Sequence, residues 1–122
     1  MKALLIVGLG GALGSVLRYV ISLFIGRQVP VVFPLGTLLV NITGCFLIGL
    51  FYAMSEKYTG FHGEWKLFLI TGICGGFTTF STYSYDMLVL LKQGAMLQFV
   101  LYAAGSVILG LLATLVGTAL LR

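Results

Sequence analysis

One segment of the chain combines paired glycines, hydroxyl side chains and aromatic rings, which are residue types that can handle ions. It is TGICGGFTTFSTYS at residues 71–84, inside a long apolar stretch. The double glycine followed by hydroxyl residues predicts a broken membrane helix, which is tolerated only where the freed backbone is buried or lines a cavity. Freed carbonyls at such a break can bind a hard cation such as Na⁺. Phe80 and Tyr83 share a helix face, and their positive ring edges can favour an anion.

Polar residues also interrupt the other apolar stretches, where each is a candidate site because polar groups in a bilayer must be paired or face water. Arg18 either extends to the membrane interface or faces a water-filled cavity or a partner, and Asp86 is the one other ionisable residue well inside a span. Thr37 and Asn41 are four residues apart and therefore share a helix face. The Asn41 amide either links helices or supplies two donors to a ligand.

A polar stripe follows the last apolar stretch at intervals of four residues. Its members are Tyr102, Ser106, Gly110, Thr114 and Thr118. Such a register is expected of a wet groove along one helix face. The alternative is that each Ser or Thr hydroxyl bonds its own helix backbone, as often happens in membrane helices.

The elements that position these residues must lie in lipid. Of 122 residues, 60% are hydrophobic and 8% are charged, against about 25% charged in typical globular domains. The net charge of +4 comes from scattered cations that form no patch, so no nucleic-acid partner is expected. Cys45 and Cys74 lie in apolar stretches without a nearby His or Cys, which argues against a disulfide framework or a zinc site.

Charges and turn residues divide the chain into four stretches long enough to span a bilayer, for which about 20 residues are needed. They cover residues 3–26, 34–55, 65–91 and 96–121, and the first ends at Arg27, Gln28 and Pro30. The first stretch lacks a clear cleavage site and is interpreted as a retained helix. The sequence therefore predicts an all-α membrane protein, a single domain over residues 1–122 with four transmembrane helices, of which the third is broken.

Four spans place both chain ends on one side of the membrane. That side would carry Lys2, Lys57, Lys66 and Arg122, and the other side Arg27 and Lys92. A difference of 4 − 2 = 2 cations gives a weak orientation signal. Either both ends are cytoplasmic, or the chain inserts in both orientations and pairs antiparallel.

Several glycines are spaced for close helix packing, such as Gly10 with Gly14 and Gly72 with Gly76. Small residues four apart let helices approach closely in lipid, and four helices are too few to enclose a pore, so a dimer is expected. The glycines after Val7 imitate a dinucleotide-binding loop, but their spacing differs from that fingerprint and no acidic residue occurs before Glu56. Helix packing therefore explains these glycines better than a nucleotide site does.

Three motifs together resemble the Fluc/CrcB family of fluoride ion channels over nearly the whole chain. They are GGxxGxxxRY at 10–19, GTLxVNxxG at 36–44 and GxxGGxTTFSTY at 72–83. The resemblance implies a fluoride-selective channel and not an enzyme. It further implies a multi-pass protein of the cell inner membrane that forms an antiparallel, dual-topology homodimer with two pores.

The resemblance also implies roles for individual residues. A structural Na⁺ at the dimer centre would be held by the backbone carbonyls of Gly75 and Thr78. Arg18 would lie at a vestibule. The fluoride pore would be lined by Asn41, Phe80, Tyr83, Ser81, Thr82, Thr37, Tyr102, Ser106 and Thr114. Tyr83 stands where the family usually has Phe, and Gly110 interrupts the polar track.

Passive export follows from the chemistry of the ion. Fluoride is small and strongly hydrated, so a pore must replace its water with close donors while excluding larger anions. The neutral acid HF crosses membranes and dissociates in the cytoplasm. An inside-negative potential then drives F⁻ outward by about 2.3 kcal/mol per 100 mV.

Three other functions are weaker. A small multidrug exporter needs a membrane carboxylate, but the first helix has Arg18 instead, and Asp86 lies near the end of its span. A purely structural subunit would not be expected to carry a broken helix. An enzyme is disfavoured because the single His, His62, lies in a loop without a nucleophile beside it.

Overall fold

A computed structural model describes residues 1–28, 33–61 and 63–121, and within these ranges the chain is helical with no strand. We number its helical segments α1 to α5. They are α1 (Lys2–Gln28), α2 (Leu35–Lys57), α3 (64–77), α4 (Phe80–Lys92) and α5 (Met96–Ala119). Three of them are long and apolar enough to cross a membrane, over Lys2–Gly26, Leu35–Lys57 and Met96–Ala119. The prediction of an all-α membrane protein is confirmed at this level.

The helix ends follow local sequence signals. Pro34 precedes α2 with φ −78°, a value suited to a helix start because the proline ring fixes φ near −65°. α2 ends after Lys57, where Tyr58 is extended, and Gly94 with φ +71° makes the turn between α4 and α5. Some of the sequence predictions fall outside the described residues. They are those made at Pro30, His62 and Arg122, and those that concern the side chains of Arg27 and Gln28.

The third apolar stretch is divided into α3 and α4. Within α3, a single turn at Glu64–Lys66 leads into a π-helical stretch at Leu67–Cys74 and a short α-helical turn at Gly75–Phe77. Thr78 and Thr79 are then extended, with ψ of 154° and 123°. The break therefore falls on the two threonines that follow the double glycine, within the segment 71–84 where the sequence predicted it, while the two glycines themselves stay helical.

Close backbone contact between α1 and α3 depends on the glycines that the sequence analysis singled out. A side-chain carbon on Gly10 would lie 2.9 Å from the Gly72 Cα, and one on Gly14 would collide with the Ile73 carbonyl oxygen. Gly76 meets the Gly11 backbone in the same way. These glycines, from which an oligomer was expected, pack two helices of one chain against each other instead.

α2 packs along α5, again at glycines, because a side-chain carbon on Gly49 or Gly117 would collide with the facing backbone. At one end of this pair a small buried cluster forms from Tyr83, Leu90 and Tyr102. The Phe33 ring meets the Tyr102 ring edge-on, with centroids 5.5 Å apart. This cluster fixes α4 against α5 on one side of the break.

Candidate functional site

A cavity of about 340 Å³ lies beside the break in the third apolar stretch. α2, the break, the start of α4 and α5 all contribute to its wall. The lining residues are Asn41, Gly44, Cys45, Ile48, Thr78, Thr79, Phe80, Tyr83, Ser106 and Val107. The wall is mostly apolar with a few polar groups, which is the usual composition of a small-ligand site.

Asn41 holds the break in place through both ends of its carboxamide. Its Nδ2 donates to the Thr79 carbonyl at 2.9 Å, and its Oδ1 accepts from the Thr79 N–H at 2.9 Å. The extended backbone at Thr79 therefore has the two hydrogen bonds that a helix would otherwise supply. The amide nitrogen carries two protons, so one N–H is left over on a residue that lines the cavity. The helix-linking and donor interpretations of Asn41 are thus compatible.

The hydroxyl residues after the break start α4. The Thr79 Oγ1 accepts from the Thr82 N–H at 3.2 Å, which makes Thr79 the cap of the helix. Thr79 Oγ1 also lies 3.2 Å from the Thr82 hydroxyl and 3.3 Å from the Ser81 hydroxyl. Ser81 is exposed and Thr82 half-buried, and neither lines the cavity in this chain.

The two aromatic residues predicted to meet an anion lie together at the cavity wall. The ring centroids of Phe80 and Tyr83 are 5.7 Å apart with planes inclined by 58°. Tyr83 is buried, whereas Phe80 is 77% exposed and so presents its ring outside the single chain. The Tyr83 hydroxyl donates to the Ala103 carbonyl at 2.7 Å, which orients its ring.

The hydroxyls of the stripe on α5 differ in whether they have a hydrogen-bond partner in the described part of the chain. Ser106 lines the cavity, and its buried Oγ has no hydrogen-bond partner among the residues described. The Thr114 hydroxyl bonds the carbonyls of Gly110 and Cys45, and the Thr118 hydroxyl bonds the Thr114 carbonyl. The back-bonded alternative therefore holds for Thr114 and Thr118, while Ser106 keeps an uncommitted proton.

The two ionisable side chains inside the apolar stretches bind different partners. The Arg18 Nε donates to the Gly76 carbonyl at 3.2 Å, at the C-terminal end of α3, where a cation is favoured by the helix dipole. Asp86 accepts from the Tyr102 hydroxyl at 3.1 Å, and Tyr102 is fully buried. Arg18 and Asp86 thus do not pair within the described part of this chain.

The carbonyls of Gly75 and Thr78 have lost the donors of a continuous helix. In an α-helix these carbonyls would accept from the N–H groups of Thr79 and Thr82, four residues on. Those N–H groups bond Asn41 Oδ1 and Thr79 Oγ1 instead. Gly75 is exposed on the surface of the chain. Two carbonyl oxygens in such a setting fit the oxygen ligands that a hard cation prefers.

Of the predicted pore residues, the cavity brings together Asn41, Phe80, Tyr83 and Ser106. The remaining predicted site residues do not line it in the single chain: Thr37, Ser81, Thr82, Tyr102, Thr114, Arg18 and Gly75. The prediction omitted Thr79 and Cys45 as lining residues. Cys45 comes one helical turn after Asn41, so the spacing of four residues could have identified it.

Comparison with known proteins relates the chain to one family. A profile described as "CrcB-like protein, Camphor Resistance (CrcB)" matches residues 5–118. A protein of Phocaeicola vulgatus is 49% identical over 117 residues, which are 96% of each chain. One of Rhizobium meliloti is 46% identical over 122 residues, all of this chain and 98% of the relative. Both relatives carry the name "Fluoride-specific ion channel FluC".

These matches confirm the family resemblance found in the three sequence motifs, since they extend over almost the entire chain. They also agree with the expectation that the chain is not an enzyme, because the relatives are named as ion channels. Together with the three apolar helices, they identify a membrane protein, and the chain belongs to the CrcB family.

Proposed function

We propose that the protein is a fluoride-selective channel that exports F⁻ passively, and that the cavity beside the break forms part of its path. The observation that carries the proposal is the convergence of Asn41, Phe80, Tyr83 and Ser106 on one cavity, in a chain 49% identical to a named fluoride channel. The residues that line the cavity include no His, Lys, Asp or Glu that could activate the Ser106 hydroxyl as a nucleophile, and all four side chains can stabilise an anion.

The chemistry of the path follows from the groups that have a donor to spare. The second amide proton of Asn41 and the uncommitted Ser106 hydroxyl can replace water around a dehydrated anion. The Phe80 and Tyr83 rings add positive edges without offering a strong anchor. A few weak donors allow the ion to leave again, which conduction requires.

The proposal includes the whole assembly. We propose four spans in the single domain 1–122, with α3 and α4 forming the third, and an antiparallel dual-topology homodimer with two pores in the cell inner membrane. The exposure of Phe80 and Gly75 supports a partner chain at this face. In the dimer, the remaining predicted residues would complete the pores, with Arg18 at a vestibule: Thr37, Ser81, Thr82, Tyr102 and Thr114.

A structural Na⁺ at the dimer centre also belongs to the proposal. The carbonyls of Gly75 and Thr78 from each chain would hold it, and their missing helical donors support this assignment. When bound, the cation would neutralise the carbonyl dipoles and add positive potential near both pores. The protein groups alone bind and orient the fluoride.

Fluoride efflux from liposomes tests the proposed function. Purified protein is reconstituted in vesicles loaded with fluoride, valinomycin releases the accompanying charge, and a fluoride electrode records the efflux. We expect rapid fluoride efflux, and no chloride efflux from matched chloride-loaded vesicles. Equal release of both ions, or no release of fluoride from a folded dimer, would refute the proposal.

A further inference from the structure

Cys45 lies between the cavity and the polar stripe on α5. It follows Asn41 by one turn of α2, so both side chains lie on one face, and both line the cavity together with Ser106. Cys45 is half-buried. Cys45 therefore belongs to the cavity wall as well as to the interface between α2 and α5.

The stripe on α5 has a gap that faces this thiol. Tyr102, Ser106, Thr114 and Thr118 carry hydroxyls, but Gly110, in the middle of the series, has no side chain. A side-chain carbon on Gly110 would lie 3.3 Å from the Cys45 Sγ. The thiol thus sits where a side chain of residue 110 would have to go.

The neighbouring hydroxyl cannot fill this gap. Thr114 directs its hydroxyl to the carbonyls of Gly110 and Cys45, at 3.0 and 3.2 Å. A hydroxyl has one proton, so that of Thr114 is committed to main-chain acceptors. Ser106, one turn before the gap, is by contrast buried with no partner in the described part of the chain. In the part of the stripe around Gly110, the Ser106 hydroxyl and the Cys45 S–H are therefore the donors that remain available to a ligand.

We propose that Cys45 lines the fluoride path and supplies, from α2, the donor that Gly110 leaves missing on α5. This inference rests on the proposed function, because it assigns a residue to that same path. It makes the thiol a group that the permeating anion passes and therefore a point where a bulky substituent closes the path.

Thiol-directed block tests the proposal, because Hg²⁺ is a soft cation that displaces the thiol proton and binds the sulfur. Fluoride efflux from liposomes is measured before and after Hg²⁺, in the wild type, Cys45→Ala and Cys74→Ala. Cys74 is a matched control, since it is 1% exposed and absent from the cavity wall. We expect Hg²⁺ to abolish efflux in the wild type and Cys74→Ala and to leave Cys45→Ala unaffected.

The variants also test the donor role without any reagent. Cys45→Ser should keep at least about half of wild-type efflux, because a hydroxyl of similar size is a stronger donor. Cys45→Ala should reduce efflux by about tenfold, the order expected when a hydrogen bond to a charged partner is lost. The double variant Cys45→Ala/Gly110→Ser, which moves the donor across to α5, should recover efflux and resist Hg²⁺.

The outcomes separate this inference from the function on which it rests. If the untreated wild type releases no fluoride, the proposed function fails before any variant is compared, and the inference fails with it. If the wild type conducts, unchanged efflux at saturating Hg²⁺, or equal block of Cys45→Ala and the wild type, overturns the inference alone. Size-exclusion profiles verify that each variant is folded, and Cys45→Ser provides the test if Cys45→Ala does not fold.

Discussion

At the scale of single residues, Asn41 matters because one side chain serves two purposes. It fixes the extended backbone at Thr79 through two hydrogen bonds of 2.9 Å, and its second amide proton is the donor that we propose for the anion. Removing the donor while keeping the shape should therefore affect conduction and the break together.

Asn41→Asp makes this substitution with almost no change in size. The carboxylate can still accept from the Thr79 N–H, but it donates nothing and brings a negative charge toward the anion. We expect fluoride efflux to fall by at least about tenfold. Thr43→Ser, at an exposed position of the same helix, is the control and should conduct like the wild type. Unchanged efflux in Asn41→Asp would show that the residue does not face the ion.

The ring and the hydroxyl of Tyr83 have different neighbours, so their contributions to selectivity and to stability can be tested separately. The ring lies against Phe80 in the cavity wall, whereas the hydroxyl bonds the Ala103 carbonyl at 2.7 Å. Tyr83→Phe should keep fluoride selectivity and lower the free energy of unfolding by about 1 kcal/mol, the usual value of one hydrogen bond. Thermal unfolding in detergent and paired fluoride and chloride efflux measure the two effects. Loss of selectivity would assign the hydroxyl to the path.

Part of this residue-level picture could be predicted from the sequence. Asn41, Phe80, Tyr83 and Ser106 stood out because polar or aromatic groups occurred at helical spacing in apolar stretches. The bond between Asn41 and Thr79 joins residues 38 positions apart, and no local pattern encodes such a contact. Whether a hydroxyl of the stripe bonds the backbone or lines the cavity likewise depends on which helix lies opposite it.

At the scale of elements, the broken third stretch is held from two sides. α1 supports its first half, where Arg18 and Ser15 reach the Gly76 carbonyl, and α2 supports the break through Asn41. The sequence predicted a break where the double glycine is followed by hydroxyl residues, and the break occurs within that segment, at Thr78 and Thr79. The missing side chain of Gly76 lets the Gly11 backbone of α1 approach, while Thr79 finds its hydrogen-bond partners on α2.

Two glycines of α1 provide a matched test of this packing. Gly14→Ala would drive a methyl group into the Ile73 carbonyl, whereas a side chain on Gly8 meets nothing within 4 Å. We expect Gly14→Ala to destabilise the protein by about 1–3 kcal/mol, as overpacking generally does, and to impair fluoride efflux. Gly8→Ala should be neutral or slightly stabilising, because alanine is the better helix former. Equal thermal stability of the two variants would contradict the packing described.

At the scale of the whole molecule, the charged ends bear on the proposed insertion of the chain in both orientations. Lys2 pairs with Glu64 at 2.7 Å, between exposed side chains, at the end where α1 begins, but orientation follows the number of Lys and Arg residues at each end more than its net charge. Lys66 lies 5.4 Å from the Tyr52 ring centroid at the same end. A small difference between the two ends is what a chain that inserts in both orientations requires.

A tandem fusion tests the antiparallel arrangement. Two copies joined by a linker that contains one additional transmembrane helix must adopt opposite orientations, whereas a plain soluble linker forces them parallel. We expect the first fusion to release fluoride at the wild-type rate and the second to be inactive as an isolated two-copy unit. Activity of the parallel fusion alone would overturn the proposed assembly. Crosslinking and size-exclusion chromatography show whether separate fusions have associated.

Assembly could not be predicted from packing motifs alone. The small-residue pairs that indicated an oligomer serve contacts inside the chain, between α1 and α3. The features that favour a partner are the exposure of Phe80 and Gly75 beside the cavity, and these follow from tertiary structure. The three helices that are long and apolar enough to cross a membrane were predicted directly from the sequence, because a membrane span needs about 20 mostly apolar residues.

The reversal potential of the current tests the central claim, a passive and selective fluoride path, most directly. Protein in a planar bilayer is placed between solutions with different fluoride concentrations, and chloride and pH gradients are then imposed in turn. We expect the current to reverse at the equilibrium potential of fluoride, and neither added gradient to move this value. A reversal potential that follows chloride would contradict selectivity, and one that follows pH would replace passive conduction with proton-coupled transport.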